Sequence, residues 1–144
     1  MATERRAEVV WQGDLMNGSG TIGEVSSGAF GPLDVSWPSR AEQPNGKTSP
    51  EELIAAGWAA CFAMALSHQL AQGGNPPERL ETTATVTFQP GEGIIRGALT
   101  VRATVTGMDA AAFEATAQGA KENCPVSKAL SGIPEVTLEA SLQQ

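Results

Sequence analysis

Cys61 and Cys124 are the only cysteines of this 144-residue chain, and His68 is its one histidine. A thiolate is a nucleophile and can pass through sulfenic acid to a disulfide, so these are the side chains best suited to covalent chemistry. Cys61 lies in Ala59-Ala60-Cys61-Phe62-Ala63, surroundings that also suit an inert, buried core thiol. Cys124 directly precedes Pro125, which predicts the N-cap of a short helix. Unpaired N–H groups and positive partial charge there favour a thiolate. Lys121 and Lys128 act in the same direction. By these residues alone Cys124 is the more activated thiol, and a spacing of 63 residues leaves open whether the two sulfurs meet.

Other constellations are weaker. His68 stands seven positions after Cys61, about 10.5 Å along a helix, too far for a direct hydrogen bond, and reads as an ordinary helix histidine. A zinc site from Cys61, Cys124 and His68 lacks a fourth ligand and the usual short ligand spacing. Arg40 sits in a polar stretch and reads as a solvated side chain. Glu51 and Glu52 fall in a first helical turn, where the helix dipole alone explains them.

The elements that must position these residues are legible. Glu8–Trp11 and Thr21–Ser26 read as strands joined through Asn17-Gly18-Ser19-Gly20, a hairpin. Leu33–Trp37 reads as a third strand closed by Pro38, and Ser39–Lys47 as a loop. Ser49-Pro50-Glu51-Glu52 is a helix start: N-cap serine, proline at the first position, a capping-box glutamate. That helix should run from Pro50 to about Gln72, stopped by Gly73-Gly74 and Pro76-Pro77. Its body, LIAAGWAACFAMAL, is apolar on nearly every face, as in a helix covered all round. Glu81–Gln89 and Ile94–Thr106 form a second hairpin, Asp109 caps a helix over Ala110–Lys121, Pro125–Leu130 makes a short helix, and Val136–Leu142 is a last strand. The class is α+β with mainly antiparallel pairing, in a single domain over residues 1–144. One small sheet covers one face of the apolar helix. A second copy of the chain is the simplest cover for the other, so a homodimer is expected.

Composition limits the partners. The net charge is −7 and the pI about 4.6, which argues against nucleic acid and against an anionic membrane surface. Two cysteines are too few for a disulfide scaffold. Met1–Glu8 lacks the layout of a signal peptide. The longest uncharged apolar run, Leu53–Leu66, has 14 residues, short of the roughly 20 of a membrane span. A soluble protein of the reducing cytoplasm is the expectation.

Thr48–Leu66 (TSPEELIAAGWAACFAMAL) followed by Asn123–Leu130 (NCPVSKAL) resembles the osmotically inducible protein C and organic hydroperoxide resistance family (OsmC/Ohr). Trp11–Asp14, Gly18–Ile22 and Ser39-Arg40 resemble its OsmC branch. The resemblance spans nearly the whole chain. It implies an OsmC-like α+β fold, an intertwined homodimer, and a thiol peroxidase of oxidative and osmotic stress defence. Such an enzyme reduces organic hydroperoxides and, more weakly, hydrogen peroxide, with no metal or cofactor. Cys61 matches the peroxidatic cysteine, Cys124 the resolving cysteine, Arg40 the arginine of the OsmC branch and Glu51 the acid of the Pro-Glu step. The absence of arginine between Arg6 and Arg40 fits that branch. Trp58 stands where relatives often carry histidine or tyrosine.

On this reading Cys61 attacks the peroxide and Cys124 closes a disulfide. Arg40 favours the thiolate and hydrogen-bonds the peroxide, and Glu51 orients Arg40. Phe62, Met64 and Trp58 are expected to give Cys61 apolar surroundings that suit an alkyl hydroperoxide. The reductant is a dithiol, lipoylated proteins being one source. Glu51 and Cys61 lie ten residues apart, about 15 Å along a straight helix. A shared site therefore requires a broken helix or Glu51 from the partner subunit, and the partner is expected. A dimeric binding protein for a small apolar ligand, with structural cysteines, is the alternative; a zinc hydrolase is a third reading.

Overall fold

The computed structural model describes residues 1–143. The chain divides into two compact units, residues 1–53 and 54–144.

The first unit is a three-stranded antiparallel sheet in the order β1-β2-β3, from β1 (Ala7–Gln12), β2 (Ser19–Val25) and β3 (Leu33–Val35). The β1–β2 turn is set by Asp14: its carboxylate accepts the Asn17 N–H at 2.7 Å and its carbonyl accepts the Gly18 N–H at 2.9 Å. A Cβ on Gly18 would fall 2.3 Å from the Asp14 carbonyl oxygen, so glycine is required there. After β3 the chain turns at once into α1 (Trp37–Ala41). The expected strand ends at Val35 rather than Trp37, and the expected loop begins as a helix. The reason is a serine pair. The Ser39 N–H donates to Ser36 Oγ at 3.2 Å and the Ser36 N–H to Ser39 Oγ at 3.0 Å, a reciprocal capping box, with Pro38 in the first turn.

Helix α2 (Pro50–Gln72) starts where Ser49 Oγ accepts the Glu52 N–H at 3.1 Å. The Glu52 carboxylate accepts the Thr48 hydroxyl at 2.8 Å. It ends in a Schellman motif: Gly74 has φ +89°, and the Gly74 and Asn75 N–H groups reach the Ala71 and Leu70 carbonyls.

The second unit joins β4 (Arg79–Gln89) and β5 (Gly93–Thr104) as an antiparallel hairpin. α3 (Ala110–Asn123) and α4 (Pro125–Ala129) follow, and β6 (Glu135–Leu142) returns parallel to β5. Along β5, Gly97, Leu99, Val101 and Ala103 are buried and alternate with outward residues. They face Trp58, Phe62, Leu66 and Leu70, an i+4 stripe of α2 with 0% exposure, and Phe113, Ala117 and Ala120 of α3. Each large side chain in that stripe contributes about 1.5–3 kcal/mol.

One chain covers only this face of α2. Ala56, Gly57, Ala60, Met64 and His68 are exposed, Met64 by 73%. By length and composition α2 could cross a membrane; in this fold its Trp58, Phe62, Leu66 and Leu70 side chains fill a protein core.

Candidate active site

Cys124 is fixed by two helices. As the C-cap of α3 its N–H reaches the Ala120 carbonyl at 2.9 Å. As the N-cap of α4 its carbonyl accepts the Lys128 N–H at 3.0 Å. The expectation of a helix N-cap at Cys124 holds. Its side chain is 0% exposed within the core. Cys61 sits one residue from the buried stripe of α2 and stays partly exposed. The two free thiols meet, with Sγ atoms 3.0 Å apart. A disulfide needs about 2.05 Å, so a shift of roughly 1 Å would close one.

Two sulfurs at hydrogen-bond distance titrate as a pair. Burial pushes the Cys61 thiol up, and the neighbouring Cys124 sulfur adds to this, against the Val126 N–H. Burial also opposes ionisation of Cys124. The hydrogen bond from Cys61, the N–H groups of Ser127 and Val126 and the Ser127 hydroxyl outweigh it and hold Cys124 below its ordinary value. These amide dipoles favour charge on Cys124 without closing a cap hydrogen bond. The first proton lost by the pair is thus lost easily, and the remaining one bridges the sulfurs. Charge rests most readily on Cys124, while only Cys61 offers a surface to a reagent.

Ser127 was not singled out by the sequence, and Trp58 was expected only as an apolar neighbour of Cys61. Trp58 Nε1 donates to Ser127 Oγ at 2.8 Å. The indole ring lies so close to Gly97 that a Cβ there would come within 2.8 Å of it. Ser127 is the third residue of α4, the position whose N–H faces the N-cap side chain; that spacing was the available signal. Cys61 packs against the core cluster that holds Trp58 and Phe62, so these two give it the expected apolar surroundings, whereas Met64 does not. At 100° per residue they turn into the core, and Met64 turns onto the open face. A cavity of about 410 Å³ lies beside Trp58 and Ser127, walled by Leu130, Ile133, Pro134 and Val136, with Lys121 and Lys128 at its rim. His68 stands away from the thiols, in a surface hollow with Met64, Glu78 and Arg79. Among the described residues no cluster of metal-ligating side chains forms.

In the first unit, Arg40 and Glu51 form a forked ion pair: Nε to Oε1 at 3.0 Å, Nε to Oε2 at 3.2 Å and Nη2 to Oε1 at 2.7 Å. Arg40 therefore sits on α1 rather than in a loop. Glu51 is buried and the Arg40 side chain 32% exposed. The Arg40 guanidinium carbon is 6.0 Å from the centre of the Trp37 ring, at the outer reach of a cation–π contact. A bidentate carboxylate fixes the plane of the guanidinium as well as its position. The structure thus brings together two pairs of the expected site residues, Cys61–Cys124 and Arg40–Glu51.

Two thiols at this distance suit redox chemistry, and comparison with known proteins points the same way. Residues 43–139 match the model of the OsmC-like protein family. Peroxiredoxin OsmC of Escherichia coli is 38% identical over 99% of both chains. Organic hydroperoxide resistance protein OhrA of Bacillus subtilis is 37% identical over 81% of this chain and 85% of its own. The crystal structure of an organic hydroperoxide resistance protein OsmC from Legionella pneumophila superposes with TM-score 0.66 at 29% identity, covering 96% of this chain and 97% of that one. With a family model over two thirds of its length and a relative matching end to end, this chain belongs to the OsmC-like family.

Proposed function

We propose that this protein is a cytoplasmic, cysteine-dependent peroxidase that reduces organic hydroperoxides to alcohols, with its two units acting as one functional domain. The observation that carries the reading is the 3.0 Å approach of the two free sulfurs, in a chain whose relatives are named peroxiredoxin and organic hydroperoxide resistance protein.

The Cys61 thiolate attacks the distal oxygen of ROOH. The O–O bond breaks, ROH leaves with a proton, and Cys61 becomes sulfenic acid. Cys124 then attacks the Cys61 sulfur, expelling water and closing the disulfide. Accessibility supports Cys61 in the first role, because Cys124 has no exposed surface. A dithiol, such as a lipoylated protein, restores the two thiols.

Arg40 serves as the cation that holds the peroxide and draws charge onto Cys61, and Glu51 holds its plane. Glu51 and Cys61 belong to one helix, ten residues apart, about 15 Å along its axis. The Arg40–Glu51 pair is therefore assigned to the Cys61 of the second copy in a homodimer. The open Ala56, Ala60 and Met64 face of α2 supports such a dimer.

Thiol titration of the reduced protein, before and after one equivalent of tert-butyl hydroperoxide, tests the chemistry. Two thiols should disappear in the wild type, with a Cys61–Cys124 disulfide. Cys124→Ser should stop at sulfenic acid and Cys61→Ser should not react. Mixed Cys61→Ser and Glu51→Ala subunits should regain activity as heterodimers. An unchanged thiol count in the wild type rules out the peroxidase and leaves the ligand-binding dimer.

A further inference from the structure

The two sulfurs of the disulfide are not equivalent to an incoming reductant. Thiol–disulfide exchange needs a thiolate to approach one sulfur from the side opposite the other, and it proceeds faster when the departing sulfur is the more stable thiolate. Cys124 is fully buried, between the end of α3 and the start of α4, so no path of approach reaches it from solvent. Cys61 is partly exposed.

The departing side is also prepared. Ser127 Oγ accepts the Trp58 indole N–H at 2.8 Å. An oxygen that accepts there keeps its own proton free to donate elsewhere, and the Ser127 hydroxyl acts on Cys124. Trp58 is itself held by close contact with the bare backbone of Gly97. The hydroxyl is thus bonded to a tryptophan that is fully buried in the core.

We propose that the disulfide is opened only at Cys61, that Cys124 is the leaving thiolate, and that Trp58 and Ser127 are positioning residues which hold a hydroxyl against the departing sulfur. This rests on the two-cysteine reading above. A reductant thiolate forms a new S–S bond to Cys61, the Cys61–Cys124 bond breaks, and its electron pair leaves on Cys124. The second thiol of the dithiol, once deprotonated, attacks the first reductant sulfur and releases Cys61. The dithiol ends as a disulfide and both protein thiols are restored. The same hydroxyl favours the Cys124 thiolate in the resolving step, whereas the attack of Cys61 on the peroxide does not use it.

The disulfide can be made with diamide, so the test does not depend on peroxide chemistry. Oxidised wild-type protein is mixed with β-mercaptoethanol, quenched in acid, alkylated at free thiols and mapped by mass spectrometry. A mixed disulfide on Cys61 with alkylated Cys124 is expected. The adduct on Cys124, or no Cys61–Cys124 disulfide at all, overturns the proposal. Ser127→Ala should raise the Cys124 thiolate midpoint by about one pH unit, the scale of one charge-assisted hydrogen bond, read by ultraviolet absorbance in a Cys61→Ser background. A tenfold smaller thiolate fraction, partly offset by higher nucleophilicity, should slow disulfide closure about threefold. Ser127→Thr should restore both. Sulfenic acid formation in a Cys124→Ser background should be the same with and without the Ser127→Ala substitution. If Ser127→Ala leaves the midpoint and closure rate at wild-type values, the positioning role is wrong. If only peroxide fails to oxidise the wild type, the peroxidase reading fails and the mapped exchange still stands.

Discussion

The two units solve the burial problem differently. In residues 54–144, three elements bury a continuous core: four large side chains of α2, alternate residues of β5 and one stripe of α3. In residues 1–53, Ile22 is the buried apolar side chain among the described residues, while Val9, Val10, Trp11, Leu15, Met16 and Phe30 are 40% or more exposed. The second unit carries its own hydrophobic stabilisation. The first is a hairpin sheet held by turns, caps and an ion pair, and an isolated small sheet is marginal in water. The two pairs proposed for the site follow the same division. Cys61–Cys124 is made by core packing across 63 residues, Arg40–Glu51 by a local fork across 11.

That contrast can be broken in order of effect. Phe62→Ala removes a fully buried ring and should cost about 3–5 kcal/mol, measured by urea unfolding; a loss below about 1 kcal/mol would mean the core is not where the second unit's stability lies. Glu51→Gln should cost less, about 1 kcal/mol, because Arg40 is a third exposed and screened by solvent. It should nevertheless lower peroxide turnover strongly, since an amide carries no charge and offers the guanidinium one acceptor oxygen in place of two. Equal turnover in the two proteins would show that the orientation of Arg40 is immaterial. Ser36→Ala removes the reciprocal cap of α1 and should cost about 0.5–2 kcal/mol, read as a lower urea midpoint.

The smallest effect is electrostatic. Hydrogen bonds from Arg79 and Arg102 and their charges hold Glu81 below the usual carboxylate range. A depressed carboxylate contributes stability above its unfolded pKa and loses it as pH falls through the folded one. Glu81→Gln should therefore lose a small stabilisation at neutral pH and flatten the acid side of the stability profile, the two proteins converging as pH falls through the carboxylate range. A change larger at pH 3 than at pH 8 contradicts this assignment.

Much of this protein was readable from one sequence. Cap chemistry placed both ends of α2, because Ser49, Pro50 and Gly73-Gly74 act on their nearest neighbours. Asp109 and Cys124-Pro125 marked α3 and α4 for the same reason, and the motifs around the two cysteines identified the family. Local preference misread α1, where two serines outweighed a strand-like run. The sequence also ranked Cys124 above Cys61 as the more easily ionised thiol, since a helix N-terminus is a local feature, and the electrostatics of the pair agree. The tertiary structure decided what depends on distance through space. It brought two sulfurs 63 residues apart to 3.0 Å, buried one and left the other open, forked Glu51 onto Arg40, and set Trp58 and Ser127 beside the thiols. A sequence carries the periodicity that buries a stripe, but which side chains meet across that buried surface is fixed only when helices and sheet pack together.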